Sequence, residues 1–198
     1  MSLKEQLTDK PRTKPAEIRL EELMNAAEAL FLEKGFDATT VSDIVKKAGV
    51  AKGTYYHYFA AKTDVLEALR ARYMDWYLDK VADAIAKCEP HDYHSKLKQW
   101  CENSVIAYVE KRELHDMLFH QAFHQSGNIH ENRAMQQLQA ILVDGTKNKI
   151  WQVLQLELTS TLIYHGMHAA VDNLEASTEY TPDTLGEMLY QQFTQLLN

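Results

Sequence analysis

The sequence predicts an all-α protein, a small helical head followed by a larger helical part, and three observations carry that prediction. Apolar residues recur at spacings of three and four along most of the chain, the period of a helix with one buried stripe. Glycine and proline number only 7 and 4 in 198 residues, so long elements must be joined by short connections. The balance of 45% hydrophobic and 25% charged residues is that of an ordinary chain with a buried core.

The same reading excludes several classes. Uncharged apolar stretches fall far short of the roughly 20 residues a membrane span needs. Met1 to Arg12 has no apolar core, which argues against a secretory signal. Cys88 and Cys101 make no C-x-x-C pair and no disulfide framework. A reducing cytosol, hence a cytoplasmic protein, is the expectation.

Residues 1–15 are polar, with Arg12-Thr13-Lys14 between Pro11 and Pro15, and read as a flexible basic arm. From residue 16 to 34, Ile18, Leu20, Leu23, Met24, Ala27, Leu30 and Phe31 form the stripe of a first helix, which Gly35 stops. Thr40 is an N-cap for a second helix, with Asp43 completing a short capping box. Val41, Ile44, Val45 and Ala48 are its inner face, and Gly49 ends it. A short aromatic segment, Thr54 to Phe59, follows at once. Tyr55 and Phe59 point inward there, while Tyr56 and His57 fall on the outer face.

Two short helices about a glycine turn, braced by a longer one, make a helix-turn-helix. A recognition helix must be short enough to sit in a major groove and needs such a brace. Gly53 lets the backbone approach a phosphate, and the free N–H groups of the helix start favour an anion. Charge agrees: residues 1–62 carry ten basic and nine acidic groups, a net of +1. Residues 63–198 carry eleven against nineteen, a net of −8. Residues 46–62 hold Lys46, Lys47, Lys52 and Lys62 and no acid, which fits one oriented contact with phosphates. Glycine corners also occur in plain helical bundles, and surface lysines are commonly only surface. Spacing and charge alone therefore leave both readings open.

The run from Gly35 to Lys62, GFDATTVSDIVKKAGVAKGTYYHYFAAK, closely resembles the DNA-binding domain of the tetracycline-repressor (TetR) family. Upstream, Ala26 to Phe31 resembles that family's first helix, and the likeness covers about residues 18–70. The resemblance implies that Thr40, with Thr39 beside it, meets a phosphate, and that Lys52, Gly53 and Thr54 open the recognition helix. It implies further that Tyr56 and His57 face DNA and that Lys62 clamps the DNA backbone. Tyr55, Tyr58, Ala51 and Ala61 depart from the family's usual residues. The two alanines remove side-chain caps, at about 1 kcal/mol each, and Tyr58 could pack or touch DNA. Thr54, Tyr56 and His57 are poor in the bidentate base readers Arg, Asn and Gln, so no operator sequence follows.

Beyond the head, helical spacing runs from Lys62 to about Lys87, from about His94 to Arg112, from Glu113 to Gln125 and from Glu131 to near Lys147. Two further helices follow, one within Val153 to Leu174 and one that Thr181 caps before Pro182, and both look too apolar for the edge of a monomer. In the resembled family the last two helices pair across a two-fold axis, with a joint like Gly145 to Trp151 before them. The family also holds a small-molecule effector among the middle helices. The resemblance thus implies a lining drawn from Trp76, Tyr77, Trp100, Tyr108, Met117, Phe119, His120, Phe123, His124, Tyr164, His165 and His168, suited to a bulky, partly apolar molecule. The plain alternative is that most of these are core.

The pairs His120/His124 and His165/His168 could hold a metal if their helices faced each other. Glu or Cys at matching spacing is lacking, so no metal and no cofactor is expected. Nothing places Cys88 or Cys101 beside a cation that would activate it. No H-E-x-x-H, G-x-S-x-G or phosphate-binding glycine loop supports an enzyme. The expectation is an all-α regulator: a helix-turn-helix domain over 16–62 and a ligand-binding and dimerisation domain over 63–198. It would grip a palindromic operator as a homodimer, repress, and be released by an effector. An activator, an effector-independent regulator or a helical interaction module are the alternatives.

Overall fold

The computed structural model describes residues 16–121, 129–174 and 180–197, with backbone only at 120, 121, 129–132 and 174. The expected arm, residues 1–15, lies outside them. The chain divides between Leu66 and Glu67 into two compact units, and the described elements are helical throughout.

In the first unit α1 (Ala16–Lys34) ends where Gly35 takes a left-handed φ of 84° and donates its N–H to the Phe31 carbonyl. The second helix, α2 (Val41–Ala48), starts on a complete capping box. The Thr40 hydroxyl accepts from the Asp43 N–H, and the Asp43 carboxylate accepts from the Thr40 N–H. Gly49, at φ 68°, closes α2 and turns the chain into α3 (Lys52–Tyr58). A Cβ at Gly49 would meet nothing within 4 Å, so it is the backbone conformation that asks for glycine here. Leu23, Ala27, Phe31, Ile44 and Tyr55 are almost wholly buried between the three helices.

The two alanine helix starts fare differently. Ala51 gives α3 no side-chain cap, as its sequence implies. At the start of α4 (Lys62–Ile85) the Asp64 carboxylate instead accepts the N–H groups of Ala60 and Ala61. The missing cap at Ala61 is thereby replaced from within the helix.

The second unit contains the greater part of α4, then α5 (Tyr93–Glu110), α6 (Arg112–His115), α7 (Ile129–Lys147), α8 (Leu156–Leu174) and α9 (Pro182–Gln195). Of the helix expected over Glu113 to Gln125, the described part is the single turn α6 running into π-helical backbone, Asp116–Gln121, and residues 122–125 lie outside the described residues. The last of those helices to be separated in the sequence, α8, starts at Leu156 rather than near Val153, while α9 has its Thr181 cap and Pro182 where expected. Trp100, Leu97, Tyr108, Leu138, Leu142 and Ile163 form the core. Helix α5 packs most extensively on α9, and a Cβ on Gly186 would stand 2.6 Å from the Glu102 backbone. Glycine is thus required there for space rather than conformation. Trp151 donates its indole N–H to the Leu142 carbonyl and lies flat over Gly145, where a Cβ would meet its ring at 2.2 Å.

Candidate nucleic-acid interface and candidate effector cavity

In the head, α3 buries one face and presents another. Tyr55 is fully buried, donates its hydroxyl to the Ala61 carbonyl at 3.0 Å, and has its phenol pushed up to about 12 by burial and the nearby Asp64. Tyr58 donates to the Ala16 carbonyl at 2.9 Å. It therefore ties the end of α3 to the start of α1. Lys52, Gly53, Tyr56 and His57 are exposed, and Thr54 is half-buried. The Lys52 ammonium lies 6.0 Å from the Tyr56 ring centre. An open groove runs between α1 and α3, formed by Ala16, Arg19, Gly53, Thr54, His57 and Tyr58.

Arg19 was not singled out by the sequence. Its only signal is its position one residue before Leu20, off the buried stripe of α1. Beside His57 and the N-terminus of α3 it adds a fork of donors matched to phosphate.

Two expected phosphate contacts have other engagements. Thr39 is 1% exposed, and its hydroxyl donates to the carbonyls of Gly35 at 2.8 Å and Leu30 at 3.3 Å. Lys62 turns inward. Its ammonium donates to the carbonyls of Phe36 at 2.5 Å and Thr39 at 2.8 Å, and sits 4.1 Å from the Phe36 ring centre. Burial holds its pKa below the ordinary lysine value. The physical reason is geometric: the turn between α1 and α2 exposes a cluster of carbonyls, and Lys62 is the cation that reaches them. Thr40 is exposed, but its hydroxyl is held by Asp43, whose carboxyl is kept well below the usual range, first by Lys34 and then by the Thr40 N–H and hydroxyl.

In the second unit a cavity is walled by α4, α5, α8 and the turn from α6 into π-helix. From the sequence-based set it brings together Tyr77, Tyr108, Phe119, Tyr164 and His168. It adds Tyr73, Met74, Ser104, His115 and Met167, which the sequence did not pick out. Its free space is about 20 Å³, room for about one water molecule. Tyr77 donates to the Ser104 hydroxyl at 2.7 Å. Tyr108 donates to the Asp172 carboxylate at 2.5 Å, with Asp116 at 3.3 Å, and His115 Nδ1 lies 3.3 Å from that same Asp116 oxygen. Burial first, and then the Asp172 bond, push the Tyr108 phenol up, so it remains a donor.

The remaining members of that set lie elsewhere. Trp100 and Met117 are buried in the core, and Trp76 is covered by Lys111, 3.9 Å from its ring centre, and by Lys80. His165 is exposed while His168 turns to the cavity, which splits that pair. Phe123 and His124 lie outside the described residues, as does the side chain of His120. Among the described residues no cluster of three or more potential metal ligands forms. Burial pushes the thiols of Cys101 and Cys88 up, away from reactive thiolate.

The model of the family described as bacterial regulatory proteins, tetR family, matches residues 23–69, from within α1 into α4. Over those residues the chain is similar to the TetR family. Its head is 39% identical over 64 residues to the HTH-type transcriptional repressor KstR2 of Mycobacterium tuberculosis, a match covering 32% of each chain. The chain thus spans about a third of that relative's length. Two solved structures share the fold beyond the head. The fatty acid degradation regulator FadR from Bacillus halodurans has a TM-score of 0.71 at 23% identity, over 92% of this chain and 96% of its own. FadR from Bacillus subtilis, in complex with stearoyl-CoA, has 0.73 at 20%, over 90% and 99%. At such identities the likeness is one of fold. Among the described residues no helix is long and apolar enough to cross a membrane.

Proposed function

We propose that this protein is a TetR-family transcriptional repressor that binds a palindromic DNA operator as a homodimer and is released by a small-molecule effector. The observation that carries the reading is the outer face of α3, where Lys52, Tyr56 and His57 stand exposed on a braced helix-turn-helix. Tyr56 and His57 would read base edges. Lys52, Arg19, the backbone at Gly53 and Thr54, and the Thr40 end of α2 would meet phosphates. Thr39 and Lys62 act one step back, by holding the turn before α2. We assign 16–62 to DNA binding and 63–198 to effector binding and dimerisation, and the protein works in the cytoplasm with its DNA.

Dimerisation is supported by α8 and α9. Leu158 and Leu162, four apart on α8, are 53% and 54% exposed, and Met188 and Leu196 in and after α9 are also bare. Such a row of large apolar side chains favours burial against a second copy, which would set two α3 helices about 34 Å apart or a multiple of it. Control by an effector is supported by the cavity. Its walls include Tyr73, Met74 and Tyr77 of α4, the helix whose first residue is Lys62. A ligand larger than a water must part those walls, and a shift of α4 would be carried to the turn that Lys62 holds. Coupling of about 1–3 kcal/mol would suffice.

The test is selection of bound duplexes from a random pool at two salt concentrations. An inverted repeat with steep salt dependence is expected. Recovery of no motif, with weak salt dependence, would remove the head from the function.

A further inference from the structure

We infer that the cavity is built for an aromatic cation, such as an aryl-substituted ammonium, rather than for a carboxylate or an acyl thioester of a nucleotide. This rests on reading the cavity as the effector site. Its walls are rings: Tyr73, Tyr77, Tyr108, Phe119 and Tyr164, with the imidazoles of His115 and His168. Aromatic faces carry negative potential and attract a desolvated cation.

Behind that wall stand two carboxylates. Asp172 and Asp116 converge on the Tyr108 hydroxyl, and Asp116 also meets His115. With its proton committed to Asp172, the Tyr108 oxygen turns lone-pair density toward the cavity. Two arginines border the site, and each already faces an acid. Arg70 pairs with Glu67 at 2.6 Å while lying over the outer face of Phe119, and Arg112 stands 3.9 Å from Asp116. Among the described residues no ion pair neutralises Asp172, and no lysine or arginine lines the cavity.

Among the described residues Asp172 is thus the carboxylate beside the cavity that no ion pair offsets, which tilts the described charges there toward negative. Among the described lining residues no lysine or arginine would receive an anionic ligand, whereas a cation gains the π faces and Asp172. Compactness follows from the about 20 Å³ of free space. One ring can enter by swinging Met74 and Met167, both flexible unbranched side chains, with a small parting of α4 from α8, but a long chain would need the helices to part much further.

The test uses the full-length protein and three probes that share a benzyl group. Benzyltrimethylammonium is the cation, neopentylbenzene its neutral isostere, and phenylacetate the anion, with dissociation constants measured by calorimetry. The cation is expected to bind roughly tenfold more tightly than the neutral isostere, the size of one desolvated cation–π contact, and phenylacetate more weakly than either. Asp172→Asn, at an exposed position that tolerates the change, should shrink the cation's advantage and leave neopentylbenzene unaffected. Equal or tighter binding of the neutral or anionic probe overturns the charge class alone and leaves the cavity as a ligand site. An Asp172→Asn variant with the full advantage intact also overturns it. Binding of none of the three overturns the class together with the effector-site reading.

Discussion

In the head, enclosed polar side chains close onto backbone carbonyls, whereas those that line the cavity of the second unit close onto one another. Thr39 bonds Gly35 and Leu30, Tyr55 bonds Ala61, Tyr58 bonds Ala16, and Lys62 bonds Phe36 and Thr39. Around the cavity the pairs are Tyr77 with Ser104, Tyr108 with Asp172, and His115 with Asp116. A backbone carbonyl moves only if its turn moves, so the first kind of bond fixes one conformation. Pairs of side chains exchange partners by changing rotamers, so the second kind can yield to a ligand. The bonds of the head thus favour one conformation, and those around the cavity leave it more room to repack.

The largest effect should come from the core beside the cavity. Trp100 is fully buried, and Trp100→Ala should cost about 3–5 kcal/mol, read by urea denaturation. The second unit should unfold first while the head keeps its own transition. A single joint transition would break the comparison. Next is the head's inner clamp. Lys62→Met removes charge-assisted bonds to two carbonyls and should cost the head about 1.5–3 kcal/mol. All duplexes should be weakened by a similar factor. A change in sequence preference would move Lys62 from the turn to the bases.

A smaller loss, about 1 kcal/mol, is expected for Thr40→Ala, which opens the capping box of α2. The smallest effect is a slope. Asp43 has its carboxyl lowered, chiefly by Lys34, so what it contributes is present above the unfolded carboxylate range, about 3.9. That contribution is lost as pH falls below it. Asp43→Asn should flatten the head's acid unfolding profile in that range. An unchanged profile would mean that the exposed pair is screened by solvent.

The head was readable because its determinants are local. Gly49, and Thr40 with Asp43, act within three or four residues, so spacing suffices to find them, as it does for Thr181 with Pro182 in the second unit. The carbonyls that Lys62 holds lie 23 and 26 positions away, beyond the reach of local spacing. The cavity depends on four elements meeting, which periodicity does not encode. Trp76 and Tyr77 are neighbours on α4, yet one faces Lys111 and the other Ser104. His115 escaped notice because histidines were weighed in pairs. Its spacing of four to Phe119 was the local signal, while its approach to Tyr108 comes from across the break at Lys111.

The central claim is that the outer face of α3 reads sequence while the rest of the head positions it. The most direct test repeats the duplex selection with Tyr56→Ala and His57→Ala combined. Both side chains are exposed, so the head should keep its fold. The account predicts that salt-dependent binding persists and the selected motif is lost. Recovery of the wild-type motif by the double variant would contradict it.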